Sequence, residues 1–366
     1  MEKTYIIIPA LEPESGLCGR IREMIRRIPA EIVVIDDGSG SDYREIFDKI
    51  AEMKECTVLR HDENKGKGQA LKTGFRYVRR AAGTDCRVLC ADSDGQHLAE
   101  DGVRLLQTVQ QHPNALVLGE RNFSGKEVPW KSRIGNRISS MLFLVLSGIR
   151  LNDTQTGLRA FGGNLLDLMI RTSGDRFEYE TQVLFACAEQ RIPILGETTE
   201  TVYLNGNEGT HFRPIRDSLQ VVRALLRPLA AFGLTSLFCA LLDLYLFRIF
   251  DGAFRNVGAL QRIAAATAAA RILSAAVNFM LNRNWVFRAG DKYRAPDRKA
   301  VFRYFFLCAG IMTTSALSVY GVTELLQIKP AAAKILCDGI LFFFSYRIQR
   351  KWVFPYGRKD DSTYDN

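Results

Sequence analysis

No cysteine in this 366-residue sequence is spaced to build a zinc site or a disulfide framework. The eight cysteines include no Cys-x-x-Cys pair, and the four histidines stand alone. Scattered thiols of that kind suit the reducing, cytosolic side of a membrane. No Gly-x-Gly-x-x-Gly follows the first apolar run, which disfavours a redox dinucleotide site. The Gly/Lys-rich stretch Asn64–Gly68 lacks the Gly-Lys-Ser/Thr ending of a P-loop. A charged-then-apolar leader is also missing: Met1–Pro9 runs straight into a strand pattern, so the N-terminal domain is expected in the cytoplasm.

What the chain does have is a net charge of +9, placed mostly beyond its first hundred residues, which favours an anionic partner. Its first two hundred residues alternate short apolar runs with amphipathic stretches. Runs at Tyr5–Pro9, Glu31–Ile35, Thr57–Arg60, Arg87–Ala91 and Ala115–Gly119 read as strands. Helical patterns lie between them at Leu17–Ile28, Tyr43–Glu52 and Gln69–Arg80. The alternation predicts an α/β domain with a mostly parallel sheet buried on both faces. Such sheets place ligands beyond the carboxyl ends of their strands. Three of those ends are polar: Pro9–Glu12, Asp36-Asp37, and Asp92-Ser93-Asp94-Gly95-Gln96. The last is the most telling. Carboxylates at i and i+2, with an amide two residues later, offer hard oxygen ligands to a divalent cation and leave positions for phosphate oxygens. The base or ribose of a nucleotide would find an acceptor in Asp37.

Ile-Ile-Ile-Pro, Val-Val-Ile-Asp-Asp-Gly-Ser, Asn-Lys-Gly-Lys-Gly and Asp-Ser-Asp-Gly-Gln-His, in this order, resemble family 2 glycosyltransferases of the GT-A (Rossmann-like) fold. The similarity is to dolichyl-phosphate mannose synthase and its bacterial polyprenyl-phosphate relatives, over roughly residues 1–215. It implies a nucleotide-sugar pocket formed by Pro9, Leu11, Ile35 and Asp37 with Asp92, Ser93, Asp94 and Gln96. It also implies Mg²⁺ or Mn²⁺ held by Asp92, Asp94 and Gln96. Arg121, after the strand at 115–119, is expected near the donor and acceptor phosphates, where a planar guanidinium pairs oxygens two at a time. Asp92, Asp94 and Arg121 are thus the expected catalytic groups. The stretch 130–149 reads as an amphipathic helix in the headgroup region, with Arg133 and Arg137 as candidates for the lipid phosphate. Arg213, in the loop Asn205–Arg216, is a further one. Glu178 and Glu180 open a helix, where acidic groups suit the dipole, with a catalytic role as the rival reading.

Beyond a linker helix at 216–227, four apolar stretches are long enough to be spans: 228–250, 263–281, 304–326 and 331–346. A mean hydropathy of −0.05 conceals them, because a polar half is averaged with an apolar one. The connection 282–303 and the segment 347–358 are rich in Arg and Lys, whereas the other two connections are short and less charged. Both ends and the middle connection are therefore expected in the cytoplasm, with a tail at 356–366. Asn278-Phe279-x-x-Asn282-Arg283-Asn284-Trp285-Val286-Phe287 recurs as Ser345-Tyr346-x-x-Gln349-Arg350-Lys351-Trp352-Val353-Phe354. This repeat resembles the four-helix GtrA-like family over 228–355. Asp243, Arg271, Lys334 and Asp338 fall inside the spans, where lone charges are costly, so pairing among them is expected.

Together these features read as a multi-pass enzyme of the cell (inner) membrane, a hexosyltransferase (EC 2.4.1.-). It is expected to move mannose or glucose, with inversion, from a GDP- or UDP-hexose to a polyprenyl phosphate (dolichyl or undecaprenyl). The partners are a nucleotide-sugar, a lipid phosphate and a membrane, with no nucleic acid. The alternative is a lipid-linked-sugar translocation or scaffold protein with a vestigial transferase site. A processive polysaccharide synthase is disfavoured, because Gln349-Arg350-Lys351-Trp352 only approaches the Gln-x-x-Arg-Trp motif of that class.

Overall fold

The computed structural model describes residues 2–95, 97–121, 130–199, 214–256, 258–287 and 298–354. The chain divides into two compact units, Met1–Leu225 and Leu226–Asn366. Gln96, Arg213 and the tail at 356–366 lie outside the described residues, as does most of the Asn205–Arg216 loop.

In the first unit the elements run β1 (Lys3–Ala10), α1 (Leu17–Arg27), β2 (Glu31–Asp36), α2 (Arg44–Ala51), β3 (Cys56–Arg60), α3 (Lys67–Ala82) and β4 (Cys86–Cys90). There follow α4 (Ala99–Gln111), β5 (Leu116–Arg121), α5 (Trp130–Ser147), β6 (Arg159–Gly162), α6 (Leu166–Arg171), α7 (Glu178–Glu189) and β7 (Ile194–Thr199). The seven strands form one Rossmann-like sheet in the order β3-β2-β1-β4-β6-β5-β7. β1, β2 and β4 carry apolar residues on both faces, as a buried sheet requires. Ile6, Ile8, Val34 and Leu89 share a core with Leu17, Ile21 and Leu105 of α1 and α4. On the opposite face α3 approaches so closely that a Cβ on Gly74 would meet Ile7 at 2.8 Å.

The sheet is mixed rather than wholly parallel, and the exception shapes the site. β6 runs antiparallel to both neighbours and opens with Arg159 opposite Cys90 at the carboxyl end of β4. It starts there because residues 148–158 lie across the strand ends: Asp153 pairs with Arg121 and Gly157 abuts Asp92. The chain therefore needs no crossover to reach β6.

The second unit continues α8 (Pro214–Ala253) and adds α9 (Ala259–Leu281), α10 (Arg298–Leu326) and α11 (Pro330–Ile348). Among the described residues three helices are long and apolar enough to cross a membrane: Leu229–Ala253, Ala259–Val286 and Arg298–Leu326. The fourth expected span falls in α11, which is not one of the three. α9 and α11 each end in a π-helical turn, Asn282–Val286 and Gln349–Val353, at matching positions of the repeat. These turns touch each other through equivalent residues. Asn282 Nδ2 donates to Gln349 Oε1 (3.0 Å), and the Phe287 and Phe354 rings stack at 5.4 Å. Thr235 of α8 completes the chain by donating to Asn282 Oδ1. The charges that the sequence places inside expected spans pair, Arg271 with Asp243 at 3.4 Å and Lys334 with Asp338 at 2.8 Å.

Candidate active site

β4 delivers Asp92, Ser93 and Asp94 to the carboxyl edge of the sheet, and the chain then turns at Gly95 with φ +79°. Only glycine adopts that backbone without strain. A Cβ there would also strike Arg20 of α1, at 2.6 Å. Arg20 braces the turn from outside, its Nη2 donating to the Ser93 carbonyl (2.8 Å).

Asp92 faces a compact charge cluster. Lys67 Nζ, on the first residue of α3, lies 2.7 Å from Asp92 Oδ1 and 2.9 Å from Glu180 Oε1 of α7. His97 Nε2 lies 3.6 Å from the other Asp92 oxygen, and the carboxylate packs on the backbone of Gly157. Burial by itself would lower the Lys67 pKa, but the charges of Asp92 and Glu180 outweigh it and raise the value. Burial likewise pushes Asp92 up, while Lys67 and His97 overcome it and hold the carboxylate well below its usual range. Lys67 is thus held as an ammonium and Asp92 as a carboxylate, with Glu180 on the other side of the ammonium.

Glycines let Lys67 reach this place. Gly66 has φ +97°, and a Cβ on it would lie 2.5 Å from the Asp175 carbonyl oxygen; one on Gly68 would lie 2.7 Å from Tyr179 Cβ. The loop before α3 and the segment before α7 therefore touch backbone to backbone. Asp37 holds the same loop, accepting from the Lys65 and Gly66 N–H groups (3.0 and 2.8 Å). Its Oδ1 also lies 2.7 Å from His61 Nδ1. Three contacts on this buried carboxylate tie the loop to Asp37, the position expected from the sequence to meet a base or ribose.

The other expected residues scatter more. Pro9 and Ile35 are buried strand residues, the Ile35 side chain pointing at Gly74 of α3, while Leu11 is half-buried. Asp94 shares the turn with Asp92 and is half-buried. Arg121 grips Asp153 with two nitrogens (2.6 and 3.2 Å), and Asp153 is fully buried. Arg133 and Arg137 are exposed on α5 beside Ile134, Ile138 and Met141, which are 49–66% exposed. The opposite face of α5 buries Phe143 and Leu146, and its Asn136 donates to the Asn152 carbonyl.

Sequence reasoning left two features unassigned. Glu178 is the ordinary helix-start acid, accepting from the Asp175 and Arg176 N–H groups, whereas Glu180 turns inward to Lys67. Arg159 is buried, donating to the carbonyls of Thr156 and Glu180. The one signal for Glu180 was its i+2 spacing from Glu178, which sends the two carboxylates to different sides of the helix.

As a cation site the turn offers two hard carboxylates, one of them firmly ionised. Among the described residues no group of three His, Cys, Asp or Glu side chains is arranged to hold a metal. That donor set suits a divalent ion that completes its shell with oxygens of a ligand, and Lys67 sets a positive charge beside Asp92.

Residues 5–166 match the family model for glycosyl transferase family 2, and residues 229–354 match that for the GtrA/DPMS transmembrane domain. The chain is 26% identical over 216 residues to the UDP-N-acetylglucosamine–dolichyl-phosphate N-acetylglucosaminyltransferase of Methanococcus voltae, covering 54% of this chain and 85% of that protein. It is 26% identical over 191 residues to the polyprenol monophosphomannose synthase of Mycolicibacterium smegmatis, covering 50% and 70%. Among solved structures, glucosyl-3-phosphoglycerate synthase from Mycobacterium tuberculosis aligns with a TM-score of 0.46 at 18% identity, over 62% of this chain and 79% of that one.

Proposed function

The chain joins a glycosyl transferase family 2 domain to a GtrA/DPMS transmembrane domain, and from this premise we propose that it transfers a hexose, with inversion, from a nucleotide-diphosphate-sugar to a polyprenyl phosphate. Mannose or glucose on GDP or UDP is the donor class. α8 to α11 form four spans, and the transferase unit works on the cytoplasmic face. One observation carries the reading: two carboxylates on one glycine-hinged turn at the carboxyl edge of β4, with Asp92 held ionised.

In this reaction a phosphate oxygen of the acceptor attacks the anomeric carbon. The bond from that carbon to the donor's diphosphate oxygen breaks, and its electron pair leaves with the nucleoside diphosphate. The acceptor phosphate is already ionised at neutral pH, so no general base is assigned. Positioning and charge stabilisation supply the rate. Asp92 and Asp94, with Gln96, would hold Mg²⁺ or Mn²⁺, which neutralises the leaving diphosphate when bound. Lys67 adds a second positive charge next to Asp92. Arg121, oriented by Asp153, serves the phosphates, and the exposed Arg133 and Arg137 meet the lipid phosphate while the apolar residues of α5 enter the leaflet.

The test is direct. Membranes carrying the protein, incubated with radiolabelled GDP- or UDP-hexose and a short polyprenyl phosphate, are expected to yield label extractable into organic solvent. Label in polymer, or none with any donor, overturns the reading.

A further inference from the structure

Both oxygens of Asp92 have neighbours. Lys67 Nζ holds Oδ1 at 2.7 Å, His97 Nε2 stands 3.6 Å from Oδ2, and a Cβ on Gly157 would overlap both. A divalent ion on this carboxylate therefore needs one of the three to give way. Gly157 is backbone, and the His97 ring sits on a single methylene. Lys67 has a flexible four-carbon stem and a second carboxylate, Glu180 Oε1, at 2.9 Å. Its ammonium can leave Asp92 without losing every anionic partner.

Glu180 keeps its place independently of Asp92. The start of α7 is fixed to the start of α3 by links that bypass the β4 turn. The Gln69 N–H donates to the Asp175 carbonyl (3.1 Å), Gln69 Nε2 to Asp175 Oδ1 (2.8 Å) and Lys72 Nζ to the Gly174 carbonyl (2.6 Å). Arg159 Nη1 donates to the Glu180 carbonyl (2.8 Å), and the Phe177 ring lies 5.8 Å from Lys67 Nζ. Lys67 and Glu180 thus belong to one braced piece of the fold, whereas Asp92 sits on the turn hinged at Gly95. Starting α7 does not require Glu180, because Glu178 fills that role from the Asp175 and Arg176 N–H groups. A carboxylate only 8% exposed is costly unless it serves its cation.

We propose that Glu180 is a positioning residue for the cation site: it shares the Lys67 ammonium with Asp92 when no divalent ion is bound and takes it over when one is. The inference rests on the proposed reading of the Asp92–Asp94 turn as a cation site. It explains why one lysine has two buried carboxylates within 3 Å. Asp92 then has a positive partner in either state. The ammonium stays beside the loaded turn instead of being driven off by the like charge of the ion.

The test is a double-mutant cycle on ion affinity. A carboxylate that acts only through its field weakens the ion equally, when removed, with or without Lys67. An ammonium that moves between two carboxylates makes the two substitutions non-additive. Mn²⁺ binding to the full-length, detergent-solubilised protein at pH 8 is read from the paramagnetic resonance signal of the free ion, with Asp94→Ala defining binding elsewhere. Lys67→Met should bind Mn²⁺ more tightly than the wild type. Glu180→Gln should weaken binding about tenfold more in the wild type than in Lys67→Met. Weakening equal within about twofold in the two backgrounds, or none in either, overturns the inference. Should Glu180→Gln lose its melting transition, Glu180→Asp keeps the charge and withdraws it by one methylene. That variant should weaken Mn²⁺ binding only where Lys67 is present, and equal effects again overturn the inference. Transfer measured on the same samples separates the readings. Additive Mn²⁺ binding with transfer intact removes the role of Glu180 alone, and non-additive binding without transfer removes the transferase alone. If no variant shows Mn²⁺ binding that depends on Asp94, the cation site and this inference fall together, and metal-free transfer would still leave the transferase.

Discussion

Replacing Lys67 with methionine keeps the stem of the side chain and removes its charge, leaving Asp92 and Glu180 facing each other without a partner. Lys67 is 16% exposed, Asp92 23% and Glu180 8%, so the cluster is largely but not wholly dry. Deleting one partner of a buried pair costs about 3–5 kcal/mol. The partial exposure of Asp92 puts Lys67→Met near the lower end, about 3 kcal/mol. For a domain of this size each kcal/mol moves the melting temperature by about 2–4 °C, so a fall of about 9 °C is expected. Lys67→Met/Glu180→Gln, which leaves one carboxylate, should recover part of that loss. Differential scanning fluorimetry on detergent-solubilised protein measures both. The same samples carry a second arm, because a cation at Asp92 competes with Lys67 for one oxygen. Millimolar Mn²⁺ should raise the melting temperature of Lys67→Met by several degrees more than it raises that of the wild type. A variant that melts within 2 °C of wild type and ignores Mn²⁺ refutes the picture of Lys67 as the counter-ion of Asp92.

The folded pKa of Asp92 is depressed, so its contribution is complete above its unfolded value of about 4 and is lost only as pH falls through the lower folded value. Lys67 is raised, so its share is complete below about 10.4 and fades only above that. The titrations of Asp92 and Lys67 should therefore leave melting unchanged between pH 5 and 9 in the wild type. In Lys67→Met, Asp92 loses its ammonium partner while burial still pushes its carboxyl up, and the deficit should be smaller at pH 5 than at pH 8. Asp94→Ala should reduce lipid-extractable label at least about 100-fold while the melting temperature stays within about 2 °C of wild type; near-normal transfer in a metal-free assay argues against the cation at this turn. Gly66→Ala must carry a Cβ at φ +97° and 2.5 Å from a carbonyl oxygen. It should cost more than about 1–3 kcal/mol, read as a melting shift, and should reduce transfer by displacing Lys67.

The α/β half was legible because its apolar runs end abruptly in polar residues, so β1, β2 and β4 and the Asp92–Asp94 turn could be placed from local pattern alone. β6 and β7 were not. β6 has four residues, and its antiparallel course is set by 148–158 folding back over the strand ends. The partner of Arg121 lies 32 residues away, and the link of Lys67 to Glu180 depends on two glycines touching the start of α7. Neither periodicity nor spacing along the chain reports such encounters. Pairing of the charges within the expected spans was foreseeable because lone charges in a bilayer are so unfavourable, although the sequence did not say which would meet. Strand and helix periodicities also say nothing of the backbone N–H groups that folding brings to Asp37.

Asn282 and Gln349, and again Phe287 and Phe354, are the same position in two copies of one motif, and each meets its own counterpart. The ends of α9 and α11 thus meet at a seam where equivalent positions of the repeat face each other. A two-helix fragment carrying one copy could pair with a twin through this seam, amide to amide and ring to ring. Within this chain the two amides differ, Asn against Gln, so the two ends are not interchangeable.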